Sequence, residues 1–520
     1  MRPVEALSDE ALALLDGGWR RIVSEIGIEF LHPRALELFR SAGQRVEDEK
    51  VFFDPDFIAE QVALAPSSFT LHARNPARDV VLGGEHMVFV PVQGPPYVRR
   101  GDERRVAGIE DFEDFCRIAQ ALDDFDSAGG LPCEPSDIPV EARHLDCVRA
   151  LLTLTDKPFQ GSQISAIAAA DSLALGEIVF GSEALSTRAC MYTNVNANSP
   201  LRWDDRMLDA LLGYAHAGQA VVLTPFLLMG AMSPVSLPAA LAQQLAETLT
   251  GIALVQLVRP GCPVVMGGFL SATDMQSGAP TFGGPESMLG VLASGQLARQ
   301  WQLPWRSGGG ALTSSPAVDA QAAYEGMATM TAAFMAGANL VLHTGGWLES
   351  GLVASFEKLI VDLDIVRTLR GAFTPLEVDE VSLAFDAHLE VGHGGHFFGC
   401  AHTMERFRDC FQRPLLATTA NFEAWQEAGA PDANTRAGAI WADIVAHAEP
   451  PPLDDDVRGA IDAFVERRTV ELTGRPPTVR EARARVTPVT PPGRTRRRER
   501  RAEPAGGESR CRGSQSVLDP

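Results

Sequence analysis

The stretch Ala338–Ile365, ANLVLHTGGWLESGLVASFEKLIVDLDI, decides how this chain is read. ANLVLH is a short, continuous apolar run of strand length that stops at Gly345-Gly346, where two glycines free the backbone for a tight turn. Beyond the turn, Trp347, Glu349 and Ser350 land where strand becomes the start of a long helix. A buried strand that delivers polar groups to a helix start is how an α/β barrel presents an active site, because C-terminal strand ends face the barrel mouth.

The surrounding sequence repeats that unit. From about residue 120, apolar β-runs are expected over 124–129, 158–164, 189–195, 220–226, 263–269, 303–309 and 340–344. Helical patterns such as 238–257 and 317–335 lie between them, with apolar residues at three-to-four spacing. Seven such units, most strands running into Gly, Asn, Thr or Pro, point to an α/β chain with a TIM (β/α)8-type barrel, since βαβ repeats bury both strand faces. An eighth strand falls either near 381–385 or in the N-terminal half. Residues 1–115 read as an N-terminal helical and β cap over one end of the barrel, with helices over 5–27 and 54–64 and β-pieces over 67–73, 79–82, 87–90 and 97–99. The barrel core spans 116–412 and C-terminal helices occupy 413–476, with patterns at 422–428, 434–448 and 454–472. Residues 477–520, which hold TPVTPPG and the basic run RTRRRERR, read as a disordered tail.

Composition narrows the function. A chain of 520 residues with 45% hydrophobic and 22% charged residues can bury a large core. A formal net charge of −22 argues against a nucleic-acid partner, which needs a basic surface. Acidic residues interrupt MRPVEALSDEALALL where a secretory signal needs an apolar run, and no run approaches transmembrane length, so a cytoplasmic location is expected, with no membrane partner. Eight cysteines (116, 133, 147, 190, 262, 400, 410 and 511) without CxxC spacing read as reduced, mostly buried thiols.

Trp347-Leu348-Glu349-Ser350-Gly351, followed by Ser355-Phe356-Glu357-Lys358-Leu359-Ile360-Val361-Asp362, resembles the trimethylamine methyltransferase family. Further segments are similar in the same order: Val264-Val265-Met266-Gly267 running to Asp274 and Gly283-Gly284-Pro285-Glu286, Leu303-Pro304, and Gly394-Gly395-His396-Phe397-Phe398-Gly399. The resemblance covers roughly residues 5 to 470. It implies transfer of a methyl group from a methylated amine to the cobalt of a corrinoid protein. In the archaeal trimethylamine enzymes the loop after Leu-Pro carries pyrrolysine, whereas this chain reads Ser307-Gly308-Gly309-Gly310-Ala311-Leu312-Thr313 there. The chain therefore resembles the non-pyrrolysine branch, which acts on quaternary amines such as glycine betaine. The implied partners are a small methylated amine and a corrinoid protein; separately, the chain is expected to form a homo-oligomer.

Methyl transfer from a quaternary ammonium to cob(I)alamin expels a neutral tertiary amine and moves no proton. The enzyme then needs a cage that holds the cation in line with cobalt and excludes water. Aromatic faces build such cages. Trp347 with Glu349 is the expected catalytic pair, and Tyr192, Phe226, Trp305, His343, Phe397 and Phe398 are the candidates for substrate binding. Each has an ordinary alternative: core packing for the aromatic residues and His343, and a favourable first-turn position for Glu349. Gly308, Gly309 and Gly310 are expected to face the corrin ring, where absent side chains allow close approach, or else to form a flexible strand-terminating turn. The amides of Gln93, Gln160, Gln163 and the YTNVNAN run (192–198) suit either a substrate carboxylate or turn backbone.

Two rivals stand beside this reading. His393, His396, Cys400 and His402 could furnish zinc ligands for a metal-dependent barrel enzyme, although no standard zinc spacing is matched and the family resemblance implies no metal in this step. The other rival is a non-catalytic amine-binding relative. No tightly bound cofactor is expected: the nearest match to a DxHxxG cobalamin loop, Asp386 to Gly392 with His388, has one residue too many, so cobalamin must arrive on a partner.

Overall fold

Runs of apolar residues buried on both faces become the strands of a largely parallel sheet, in a computed structural model that describes residues 2–476. The expected tail at 477–520, with Cys511, lies outside the described residues. Parallel neighbours run from Tyr192–Ala197 through Ala220–Met229, Val264–Gly267, Trp305–Ser307 and Leu340–Val341 to Val88–Phe89. Backbone hydrogen bonds continue beyond both ends of this series. The amides of Asp126 and Ser127 donate to the Phe89 carbonyl at 3.0 and 3.3 Å, Gln160 N–H donates to Gly129 O at 2.9 Å, and Gly161 N–H donates to Tyr192 O at 2.9 Å. The stretches expected as strands over 124–129 and 158–164 thus contribute isolated parallel bridges, Gly129 with Phe159 and Gln160 with Tyr192. A ladder is denied them because Pro158 has no amide to donate and Gly129 leaves the extended region at φ 74°.

The strand left open between two places in the sequence comes from the N-terminal half, as Val88–Phe89. The other location fails: Val381 and Leu383 are exposed, and Phe385 opens the helix Phe385–Val391. Nor does residue 115 mark a break in packing, because Val88–Phe89 is in the main sheet and Tyr97–Arg100 pairs in parallel with Val353–Ser355. The helices Asp9–Arg21, Pro33–Ser41 and Pro55–Val62 lie against the helix Leu237–Val258, while the hairpin Ser68–Leu71 with Val80–Gly83 puts Leu71 and Leu82 in one buried cluster with Val88, Tyr192, Ala220 and Leu340 of the sheet. At the other terminus Ala433–His447 packs on Phe356–Phe373, and Asp455–Thr473 packs on Arg143–Leu154. The result is a mixed α/β fold. Among the described residues no helix is long and apolar enough to cross a membrane, and all cysteines except Cys410 are buried.

One local feature aims the sheet at a single point. Ala220–Met229 outlasts its neighbours: its first half pairs with Val264–Gly267 and its second half with Phe269–Thr273. The change of path falls at Gly267-Gly268, where the backbone runs against neighbouring side chains. A Cβ on Gly267 would sit 2.2 Å from Thr224 Oγ1 and 2.5 Å from the Leu223 carbonyl, and one on Gly268 would sit 2.6 Å from Gln244 Oε1. Gly267→Ala should therefore destabilise the protein by about 1–3 kcal/mol, the usual range for overpacking a core, read as a lower urea midpoint at unchanged slope.

Candidate active site

The junction after Gly345-Gly346 is built differently from a simple strand-to-helix step. Trp347–Leu348 folds back as an antiparallel hairpin on Val353–Ser355, with a 3-10 turn, Glu349–Gly351, at the bend. The bend takes positive φ at Glu349 (48°), Ser350 (53°) and Gly351 (95°). The helix Phe356–Phe373 begins only afterwards, where the Ser355 hydroxyl accepts from Lys358 N–H at 3.2 Å. One helical turn apart on its inner face, Lys358 and Asp362 form a fully buried ion pair. Asp362 also accepts the Gly346 amide at 2.9 Å, and Lys358 donates to the Ala311 carbonyl at 3.3 Å. Burial pushes the Asp362 carboxyl up to about 6 against the pull of Lys358.

This fastening sets Trp347 among rings from three other segments. Its ring centroid is 4.5 Å from His343, 5.5 Å from Phe282 and 6.0 Å from Phe269, all edge-on. Phe269 in turn lies 4.9 Å from Phe226, 5.6 Å from Phe282 and 5.7 Å from His343. Phe226 is the half-buried member and the others are buried. His343 holds φ 58°, in the left-handed region, because the strand ends at Val341 and the chain turns there. Its Nδ1 accepts the Gln93 amide at 3.2 Å. Burial, reinforced by nearby Arg306, holds its imidazole well below the ordinary histidine range, so the ring is neutral at pH 7.

Polar groups lie against these rings. Arg306, 2% exposed, places its guanidinium carbon 5.4 Å from the Phe269 centroid. It donates to Gly268 O over 3.4 Å and approaches His343 Nε2 at 3.4 Å, while its Nε has no partner. The Tyr192 hydroxyl, beside Ser127 and Gln93, also lacks a partner, and burial pushes it up to about 12. Gln93 Nε2, Gln160 Oε1 and Trp347 Nε1 are likewise buried without partners. Asn194 accepts from Thr224 at 2.8 Å and donates to Asn196 at 2.9 Å, so these amides serve each other.

Of the residues expected at the site, Trp347, His343 and Phe226 share one ring cluster, with Tyr192 close to Arg306. Trp305 is not with them. It precedes Arg306 on the strand and so takes the opposite side, lining a cavity of about 930 Å³ with Met87, Asn339 and Phe334 at the N-terminal edge of the sheet. Phe397 and Phe398 are 42% and 85% exposed on a short 3-10 turn, where they touch only His388 and His396 among rings. Glu349 lies in the hairpin bend, not in a first helical turn, and meets Arg104 Nε through both oxygens at 3.1 and 3.0 Å. Gly308, Gly309 and Gly310 are buried, not open to a ligand face. A Cβ on Gly308 would sit 2.5 Å from the Gly268 carbonyl and one on Gly310 2.4 Å from the His343 carbonyl, so these glycines let strand ends close on one another. Among the described residues no three His, Cys, Asp or Glu side chains gather as a metal-ligand set, and His393, His396, Cys400 and His402 do not converge.

Sequence reading passed over Phe269, Phe282 and the side chain of Arg306. A signal existed for Arg306: an arginine inside an otherwise buried parallel strand breaks the apolar run that such strands keep. For Phe269 the signal was its place directly after Gly267-Gly268. Phe282 offered none, since it follows a loop whose path only packing fixes.

Over residues 1–473 the chain matches the family described as trimethylamine methyltransferase (MTTB), and it belongs to that family. It is 38% identical to a glycine betaine methyltransferase of Desulfitobacterium hafniense (strain Y51), across 90% of this chain and 97% of the relative. It is 29% identical to the proline betaine:corrinoid methyltransferase of Eubacterium limosum, across 76% and 82% of the two chains. It is 26% identical to the trimethylamine methyltransferase MttB of Methanosarcina barkeri, across 87% and 93%. Among solved structures, the monomethylamine methyltransferase (MtmB) of Methanosarcina barkeri superposes with a TM-score of 0.50 at 11% identity, covering 88% of this chain and 89% of that one, a likeness of fold alone.

The neutral state of His343 has a measurable consequence. In the unfolded chain the imidazole gains its proton near pH 6.5, whereas the folded site resists it, so below that pH the unfolded state binds more protons and stability falls as pH drops. Moving from pH 7.5 to 5.5 should cost about 1.4 kcal/mol through this residue. Urea unfolding at the two pH values should give a stability change about 1.4 kcal/mol less favourable in the parent protein than in His343→Gln, a difference in which the opposite contribution of the raised Asp362 carboxyl cancels.

Proposed function

We propose that this chain moves a methyl group from a small quaternary amine, such as glycine betaine, to cob(I)alamin carried by a separate corrinoid protein. The observation that carries the reading is the cluster of Phe226, Phe269, Phe282, Trp347 and neutral His343 at the C-terminal side of a parallel sheet. Aromatic faces attract a methylated ammonium by about 0.5–2 kcal/mol each, and neutrality of the imidazole spares the cation a repulsion. The family and the two relatives named as betaine methyltransferases support the same chemistry.

The sheet itself is read as an eight-stranded β/α barrel. Backbone contacts connect eight segments in a cycle, from Val88–Phe89 past 126–129 and 159–161 to Tyr192–Ala197 and back through Leu340–Val341. Val88, Tyr192, Val222, Val265 and Leu340, one from each of five segments, share a buried cluster of their own, as inward-facing side chains of a barrel do.

In this site no residue needs to donate or remove a proton. Trp347 and the phenylalanines hold the ammonium and exclude water, so that one methyl is presented in line to the cobalt of the docked partner. Glu349 acts one step removed, as a positioning residue: through Arg104, itself stacked 3.9 Å from the Tyr97 ring, it braces the hairpin that carries Trp347. The chain is read as assembling with copies of itself through residues 376–422, where Leu376, Phe385, Phe398 and Phe411 are 88%, 67%, 85% and 81% exposed.

Transfer to free cob(I)alamin from a panel of methylated amines tests the reading. Quaternary amines should be demethylated and trimethylamine should be poor, because its free base would have to expel a dialkylamide anion and its protonated form lacks the permanent charge that an aromatic cage prefers. Efficient use of trimethylamine, or none of any quaternary amine, would sink the proposal. Trp347→Ala should lower kcat/KM roughly thirtyfold, the equivalent of about 2 kcal/mol of lost cation attraction, and steady-state kinetics at subsaturating amine would measure it.

A further inference from the structure

We infer that Arg306, His343 and Tyr192 form a carboxylate-binding subsite beside the aromatic cluster, so that the amine taken by this chain is a zwitterion with its carboxylate one or two carbons from the ammonium. The inference rests on the functional reading above and assigns the part of the site that reading leaves unused.

The surroundings of Arg306 are a set of donors without an acceptor. Its guanidinium is almost wholly buried, yet no carboxylate pairs with it among the described residues. It offers five N–H groups, and its contacts are two long ones at 3.4 Å, with Nε bare. His343 cannot serve as acceptor. Its Nδ1 already accepts the Gln93 amide, so the single proton of the neutral ring sits on Nε2, the atom that faces Arg306 Nη2. Donor meets donor there, and an acceptor between them would satisfy both. The Tyr192 hydroxyl and Gln93 Nε2, each buried and unpaired, add two more donors to the same region.

Charge leads to the same ligand. Buried cations persist where something neutralises them, and burial alone pulls this guanidinium down to about 9, still protonated at neutral pH. A bare ammonium in the ring cluster would add a second uncompensated positive charge. A ligand that brings its own carboxylate removes the conflict, placing the anion on Arg306 and the methylated nitrogen among the rings. Since the guanidinium carbon is only 5.4 Å from the centroid of Phe269, a cluster member, the spacer between the two charges must be short.

Isothermal calorimetry without corrinoid reads this directly, using glycine betaine, its methyl ester and choline. Glycine betaine should bind, and the ester and choline should bind at least about a hundredfold more weakly, because each leaves the buried donors unpaired. Arg306→Gln should raise the betaine Kd by a similar factor and abolish the preference, with circular dichroism checking the fold; if that variant does not fold, the comparison of ligands on the parent protein decides. Equal affinity for betaine and its ester, or a folded Arg306→Gln that keeps the preference, overturns the subsite. Betaine binding without methyl transfer to cob(I)alamin would defeat the functional reading and leave the subsite standing. Transfer from choline as fast as from betaine would do the reverse, and failure of every methylated amine to bind would defeat both.

Discussion

The architecture of the site depends on one buried ion pair. Lys358 and Asp362, both wholly inaccessible, tie the helix Phe356–Phe373 to the turn at Gly346 and to the loop at Ala311. Removing two charges from water is costly and is tolerated only when their remaining hydrogen bonds are met. Here they are met by backbone groups of two strand-end segments, so the pair works as a clamp between helix and sheet. Trp347 follows its attachment at Gly346 directly, His343 precedes it by three residues, and Arg306 lies five residues before the attachment at Ala311.

Glycine supplies the complementary constraint. At Gly267, Gly308 and Gly310 the backbones of successive strand ends approach so closely that a methyl group would overlap carbonyl atoms. That closeness brings Phe269 against Arg306 and His343, and it explains a glycine run that sequence alone offers equally to a corrin ring or to a flexible turn. Rigid rings, a strained His343 backbone and unpaired buried donors are then juxtaposed in a site that stores polar capacity for a ligand.

The proposed chemistry fits a site of this kind because methyl transfer between a quaternary nitrogen and cobalt asks the protein for placement and dryness more than for acid or base. A neutral histidine, four aromatic rings and an arginine without a counter-ion are a poor proton relay and a good receptacle for a zwitterion. The glycine betaine and proline betaine relatives carry such substrates in their names.

Much of this was legible in the amino-acid order. Apolar runs of strand length alternating with helical periods define a parallel α/β arrangement, since such runs can be buried only between helices. The segment from Trp347 to Asp362 marked both the site and the family, and ordinary residues at 307–313 separated the chain from pyrrolysine enzymes. What the order could not decide was direction and partnership. Whether Trp305 or Arg306 faces the ring cluster turns on a register of one residue, and a single-residue shift exchanges the faces of a strand. Phe397 and Phe398 looked like cage residues because composition says nothing of which surface a loop occupies. Glu349 looked like a helix-start acid until the hairpin gave it Arg104, a partner 245 residues away. Those choices belong to long-range packing, where contacts between segments distant in sequence set which side chains meet.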